Sequence, residues 1–186
     1  MSRHYDIFEG CKKGDPQAQR VLYDLFKGKL MGLCRRYAAS REEAQDVLQE
    51  SFIKIFTKIH QLDTSESLEP WMKSIVVRTA IDHYHKQKAR EIMFDRIDEK
   101  TVQVEGHSGS FHTITDEFLI QIINALPAGC RIVFNLFAVE GYSHAEIAEM
   151  LGITEGTSRS QYHYAKALLK EKLKSENLVE YYEKLA

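Results

Sequence analysis

The chain has 186 residues, with 25 Lys and Arg against 27 Asp and Glu and a formal charge of −2, a balance that excludes a histone-like or broadly polybasic protein. At 44% hydrophobic and 28% charged residues it has the composition of a soluble globular protein with a buried core, and no apolar run reaches the length of a membrane span. The start, Met1-Ser2-Arg3-His4-Tyr5-Asp6, lacks the apolar stretch of a secretory signal, so a cytoplasmic location is expected; Cys11, Cys34 and Cys130 are odd in number, with no CxxC pair, and read as reduced thiols rather than a disulfide or zinc module.

A short helix is expected from Tyr5 to Lys13, closed by Gly14. Asp15-Pro16 then gives an N-cap followed by proline at the first helical position. Apolar residues Val21, Leu22, Leu25, Phe26, Leu30, Leu33, Cys34 and Tyr37 recur at steps of three and four, predicting a long amphipathic helix to about residue 39. Ser40 with Glu43 three residues on has the capping-box pattern, and the stripe Ala44, Val47, Leu48, Phe52, Ile55, Phe56, Ile59 predicts another helix ending near His60. After a loop from Gln61 to Glu69, Pro70 opens a helix from Trp71 to about Ala89. These elements form one small helical domain, residues 1–90.

Residues 91–115 lose the helical period and carry Gly106, Ser108, Gly109 and Ser110, which reads as a flexible linker reaching about 80 Å when extended. Periodicity returns at Phe118, Leu119, Ile122, Ile123 and Leu126, and after Pro127 at Ile132, Val133, Leu136 and Phe137. A second helical domain, residues 116–186, begins there. The fold class is therefore all-α, two small helical domains joined by a flexible linker.

The segment from Ser143 reads SHAEIAEMLGITEGTSRSQYHYAKALL. A first helix buries Ile147, Ala148 and Leu151, Gly152 takes a left-handed turn, Ile153 plugs the corner and Thr154 caps the next helix, which is a helix-turn-helix. That next helix is basic: residues 156–174 hold Arg159, Lys166, Lys170, Lys172 and Lys174 against Glu171, net +4, whereas residues 116–155 hold Arg131 against six acids, net −5. Arg159, Ser160, His163 and Tyr164 are the candidates for base edges and phosphates in a major groove, with Lys166 and Lys170 on the backbone. A second basic stretch, residues 73–90, holds Lys73, Arg78, Lys86, Lys88 and Arg90 against Asp82, net +4, interleaved with His83, Tyr84 and His85. Cations among aromatics suit single-stranded nucleic acid, although Trp71, Ile75 and Tyr84 are more often core residues than base platforms.

These features meet a third in Asp46-Val47-Leu48-Gln49-Glu50-Ser51-Phe52-Ile53-Lys54, and together they resemble the bacterial sigma factors of the extracytoplasmic-function class, in the sigma-70 family. The family's DxxQExF segment, its Glu-Pro-Trp-Met helix start, the Leu126-Pro127 opening of the second domain and the closing helix-turn-helix all have counterparts in order, over residues 8–90 and 116–172. The resemblance implies a protein that joins core RNA polymerase, recognises −35 duplex DNA and melts the −10 element of a promoter. It places Asp46, Gln49 and Glu50 at the polymerase, Lys54, Lys73 and Arg78 at the −10 region, and Thr157, Arg159, Ser160, Gln161, His163, Tyr164 and Lys166 at the −35 element. The loop Leu62–Leu68 falls where the family captures a flipped base. An anti-sigma factor is the further partner implied, without membrane insertion of this chain.

The sequence departs from the family pattern in having Arg78 for asparagine, Ser158 for valine, and Gln161 and Tyr164 for arginines, which brings a polar group to the packing side of the reading helix and alters base preference. The competing reading is a free-standing dimeric helix-turn-helix transcription regulator, which gives the second basic surface no role. With no P-loop, HExxH, GxSxG or convergent His/Cys/carboxylate set, no enzyme activity, catalytic residue, cofactor or metal is expected.

Overall fold

In the computed structural model the described residues are 3–64, 67–94 and 116–175. The expected linker beyond residue 94, Ser65 and Glu66 of the expected loop, and residues 176–186 lie outside them. The described residues form helices α1 (Arg3–Lys12), α2 (Pro16–Tyr37), α3 (Arg41–Lys58), α4 (Leu68–Phe94), α5 (Asp116–Asn124), α6 (Ala128–Phe134), α7 (His144–Leu151) and α8 (Glu155–Ser175), with a 3-10 turn at Ile59–Gln61 and a π-helical turn at Asn135–Val139. The chain divides into two compact units, Met1–Lys86 and Gln87–Ala186.

In the first unit, local chemistry sets the helix ends. Asp15 accepts a hydrogen bond from the Gln17 amide at 2.9 Å ahead of Pro16, satisfying a donor that the first turn leaves without a partner. Ser40 caps α3 by accepting from the Glu43 amide at 3.1 Å, while the Glu43 carboxylate accepts from the Ala39 amide at 2.6 Å. The reciprocal bond of the expected capping box thus reaches one residue further back than the cap itself. Helix α1 packs on α2 so closely that a Cβ on Gly10 would stand 2.6 Å from that of Ala18. Leu22, Phe26, Leu30, Leu33 and Cys34 of α2 are buried with Val47, Leu48, Phe52 and Ile55 of α3 and Met72, Val76 and Val77 of α4. Val21 and Leu25, assigned to the same apolar stripe, remain 41% and 49% exposed; the buried face of α2 is narrower than its apolar composition. Helix α4 starts before Pro70, at Leu68, and runs to Phe94, so the expected linker yields its first four residues to the helix.

The second unit is built around α8, which packs against α6, α7 and α5. Phe118, Ile122, Leu126, Cys130, Ala165, Leu169 and Leu173 form one apolar cluster. Arg131 is buried and donates from Nη1 to the Asn124 carbonyl at 3.1 Å, serving an acceptor at the end of α5. Burial pushes the thiols up, Cys11 to about 11 and Cys34 to about 12, which keeps these buried cysteines protonated and unreactive.

Candidate polymerase and nucleic-acid interfaces

Alternate burial along α3 sends Ala44, Val47, Leu48 and Ser51 inward and leaves Asp46 and Gln49 exposed on the opposite face, with Ile53 beside them at 67% exposure. Glu50, grouped with them from the sequence, behaves differently. Its carboxylate accepts from Lys54 Nζ at 2.9 Å, stands 2.8 Å from His83 Nε2 and 3.7 Å from Lys86 Nζ. Hydrogen bonding to Lys54, and then to His83, outweighs burial and holds its pKa down at about 2. Glu50 is therefore tied to α4 as well as lying beside the exposed row.

Lys54 is equally engaged. Besides Glu50, it donates to Asp82 Oδ2 at 3.0 Å and to the buried Thr79 hydroxyl at 3.2 Å. Burial opposes the ammonium charge, and the bonds to Glu50 and Asp82 overcome it, leaving the pKa above the ordinary lysine value. Lys73 pairs with Glu69 at 3.1 Å, which also meets Lys29 at 3.4 Å. Arg78, Lys88 and Arg90 are exposed along α4, as is Lys86. Trp71 and Tyr84 are half-buried and Ile75 is buried. Of the loop from Leu62 to Leu68, the Leu62 carbonyl accepts from Lys12 at 3.1 Å, a tie to α1.

The helix-turn-helix takes its form from three caps. Ser143 and Glu146 make a full capping box, with the Ser143 amide donating to the carboxylate at 2.8 Å. Gly152 has φ +63° and ψ +36°, the left-handed geometry that glycine adopts at little cost. The Ile153 amide then bonds the Ala148 carbonyl at 3.1 Å and the Gly152 amide that of Glu149 at 3.4 Å, a Schellman closure of α7. Thr154 Oγ1 accepts from the Thr157 amide at 3.0 Å to start α8. Ile147 and Leu151 are buried, whereas Ala148 and Ile153, both expected inside, are half-buried.

On α8, Arg159, Ser160, His163 and Tyr164 are exposed, Tyr164 at 56%, and Thr157, Gln161 and Lys166 are half-buried. Arg159 pairs with Glu155 one turn earlier, an exposed contact of little strength that leaves the guanidinium available. Ser160 donates to the Thr157 carbonyl at 3.0 Å, and Lys166 lies over the Tyr162 ring at 5.7 Å from its centroid. On the inner side, Ser158 is fully buried, with its hydroxyl 2.9 Å from His144 Nδ1. His144 stacks on Phe137 at 4.2 Å, and Phe137 meets Tyr162 at 4.6 Å. The sequence flagged Ser158 as a misplaced polar group; the partner that resolves it, His144, was missed, because it sits 14 residues away with no periodic signal connecting the two. Among the described residues no group of three or more His, Cys, Asp or Glu side chains is placed to hold a metal.

Residues 22–90 match the model of sigma-70 region 2, and residues 119–169 that of sigma-70 region 4. The chain is 29% identical over 177 residues to the ECF RNA polymerase sigma-E factor of Haemophilus influenzae, spanning 90% of this chain and 93% of that protein. It is 27% identical over 177 residues to the ECF RNA polymerase sigma factor SigW of Bacillus subtilis, spanning 88% and 92%. Among solved structures it is similar in fold to RpoE from Bartonella quintana, determined with the anti-sigma factor NepR (TM-score 0.53, 20% identity, 83% of this chain and 96% of that one). CnrH, determined with the cytosolic domain of CnrY, is also similar (TM-score 0.50, 18% identity, 94% and 99%). A dimeric regulator built only on the helix-turn-helix leaves the match to the first unit without explanation. Region 2 on the unit bearing Asp46 and Gln49, region 4 on the unit bearing the helix-turn-helix, and relatives matched along most of their length place this chain in the extracytoplasmic-function class of the sigma-70 family.

Proposed function

We propose that the chain acts as the promoter-specificity subunit of RNA polymerase: residues 1–90 dock on core enzyme and engage the −10 element, residues 91–115 link, and residues 116–186 read the −35 duplex. The observation that carries this reading is the division of labour between two exposed faces. Asp46 and Gln49 form a polar row free of the ties that hold Glu50, suited to docking on a charged partner, and α8 turns Arg159, Ser160, His163 and Tyr164 outward, where a major groove meets a recognition helix. Glu50 completes the docking face, Lys73 and Arg78 meet the −10 strand backbone with Lys54 nearby, and Thr157, Gln161 and Lys166 complete the −35 contacts. Binding and melting require no covalent chemistry, so no catalytic residue takes part. Action in the cytoplasm, where polymerase and DNA are found, accords with the lack of any described helix long and apolar enough to cross a membrane. An anti-sigma factor is the proposed restraining partner, covering the same docking surfaces.

The test is holoenzyme formation with purified sigma-free core, followed by fluorescence anisotropy of the labelled chain. Replacing Asp46 and Gln49 together by alanine weakens core affinity at least tenfold without changing the circular dichroism spectrum. Unchanged affinity would move the docking face elsewhere.

A further inference from the structure

The ammonium group of a lysine has three N–H donors, and in Lys54 all three have acceptors within the chain: Glu50 on the same helix, and Asp82 and Thr79 on α4. The side chain is only 29% exposed, against 53% for Asp82 and 60% for Lys86. On α4, Arg78, Asp82 and Lys86 follow at intervals of four and so share one face, spaced by about 6 Å. Asp82 is the single acid of residues 73–90, and it sits between two cations of this row.

We propose that Lys54 is a positioning residue and not a phosphate contact: it neutralises Asp82 inside the cation row and pins α4 to α3, so that Arg78 and Lys86 stand at a fixed place relative to the docking row Asp46 and Gln49. This rests on the −10 role proposed for α4 and revises only the part played by Lys54. A nucleic-acid phosphate can reach the ammonium only by displacing one of its three present acceptors. Removal of Lys54 alone leaves Asp82 as an unpaired negative charge facing the strand. Removal of Lys54 and the Asp82 charge together leaves the row of cations intact, and Glu50 stays held by His83 and Lys86.

The experiment measures binding of the full-length chain to a fluorescent oligodeoxythymidine about 20 nucleotides long, a probe of single-strand backbone contacts, over a range of salt. Each phosphate contact contributes about 0.7 to the slope of log affinity against log salt on a single strand. Lys86→Ala lowers the slope by about this amount. Lys54→Met weakens binding severalfold; Lys54→Met with Asp82→Asn recovers it and keeps the wild-type slope. A double variant that stays weak and loses about 0.7 of slope identifies Lys54 as a phosphate contact and overturns the proposal. A slope indifferent to Lys86→Ala and Arg78→Ala overturns instead the placement of the strand on α4, and with it the row that Lys54 is said to position. Unchanged circular dichroism and thermal midpoint separate either result from a loss of fold.

Discussion

Gly152 offers a measurement in which steric and conformational costs separate. A Cβ built there meets no heavy atom within 4 Å, yet φ is +63°, so any cost of Gly152→Ala comes from the backbone alone. Left-handed geometry costs an L-residue about 1–2 kcal/mol, and asparagine, which tolerates that region, about half as much. The chain's single tryptophan, Trp71, lies in the first unit, so urea unfolding followed by fluorescence reports that unit while far-ultraviolet circular dichroism reports both. With a urea dependence of about 2 kcal/mol per molar, Gly152→Ala moves the second unit's midpoint down by about 0.5–1 M and Gly152→Asn by roughly half of that. Equal stability of Gly152→Ala and wild type would refute the left-handed turn.

Further outcomes follow from the polar contacts. The Glu50 pKa lies near 2 against an ordinary 4.5; a depressed carboxylate stabilises above 4.5, and the benefit is lost as pH falls from 4.5 towards 2. Screening at its 33% exposed side chain reduces the contribution to about 1 kcal/mol, and Glu50→Gln flattens the pH dependence of tryptophan-monitored stability in this window. Burial, then Arg159, lowers the His144 pKa below 6.5, with His163 adding to the effect and Glu155 opposing it, so the neutral imidazole is favoured in the fold and the second unit loses stability as pH drops below 6.5. His144→Phe with Ser158→Val removes that dependence while keeping the packing, as unfolding monitored by circular dichroism will show. Ile147 is fully buried, and Ile147→Ala costs about 2–5 kcal/mol, read as early melting of the second unit. Arg159→Ala lowers the salt slope of −35 duplex binding by about 0.9, the value of one phosphate on B-DNA.

Elements whose causes are local were legible in the sequence. Asp15 before Pro16, Ser40 with Glu43, the Gly152 turn and the Thr154 cap each depend on groups within four residues. The order of these signals was enough to lay out two helical units and the helix-turn-helix. What escaped depends on contacts across the chain. Lys54 is placed at the −10 region by the resemblance, and nothing near it in the sequence announces its bonds to Thr79 and Asp82, 25 and 28 residues on. Glu50 is placed among the docking residues by the resemblance, and nothing near it in the sequence announces its contact with His83, 33 residues on. The π-helical turn at Asn135–Val139 continues the apolar pattern of α6 without a break in composition, so nothing in the residue types announces the wider winding. Val21 and Leu25 satisfy the helical period yet remain nearly half exposed, because periodicity marks the side that is apolar and not how much of it finds a neighbour.

Transcription decides whether the chain acts as a promoter-specificity subunit. The purified chain is combined with sigma-free core polymerase and a genomic fragment library from its own organism, and RNA 5′ ends are mapped. Initiation is expected at discrete sites that share −35 and −10 elements, abolished by Asp46→Ala with Gln49→Ala and redistributed by changes at Arg159 or Tyr164. No specific initiation with core, together with protection of discrete duplex sites by the chain alone, would make the chain a free-standing regulator instead.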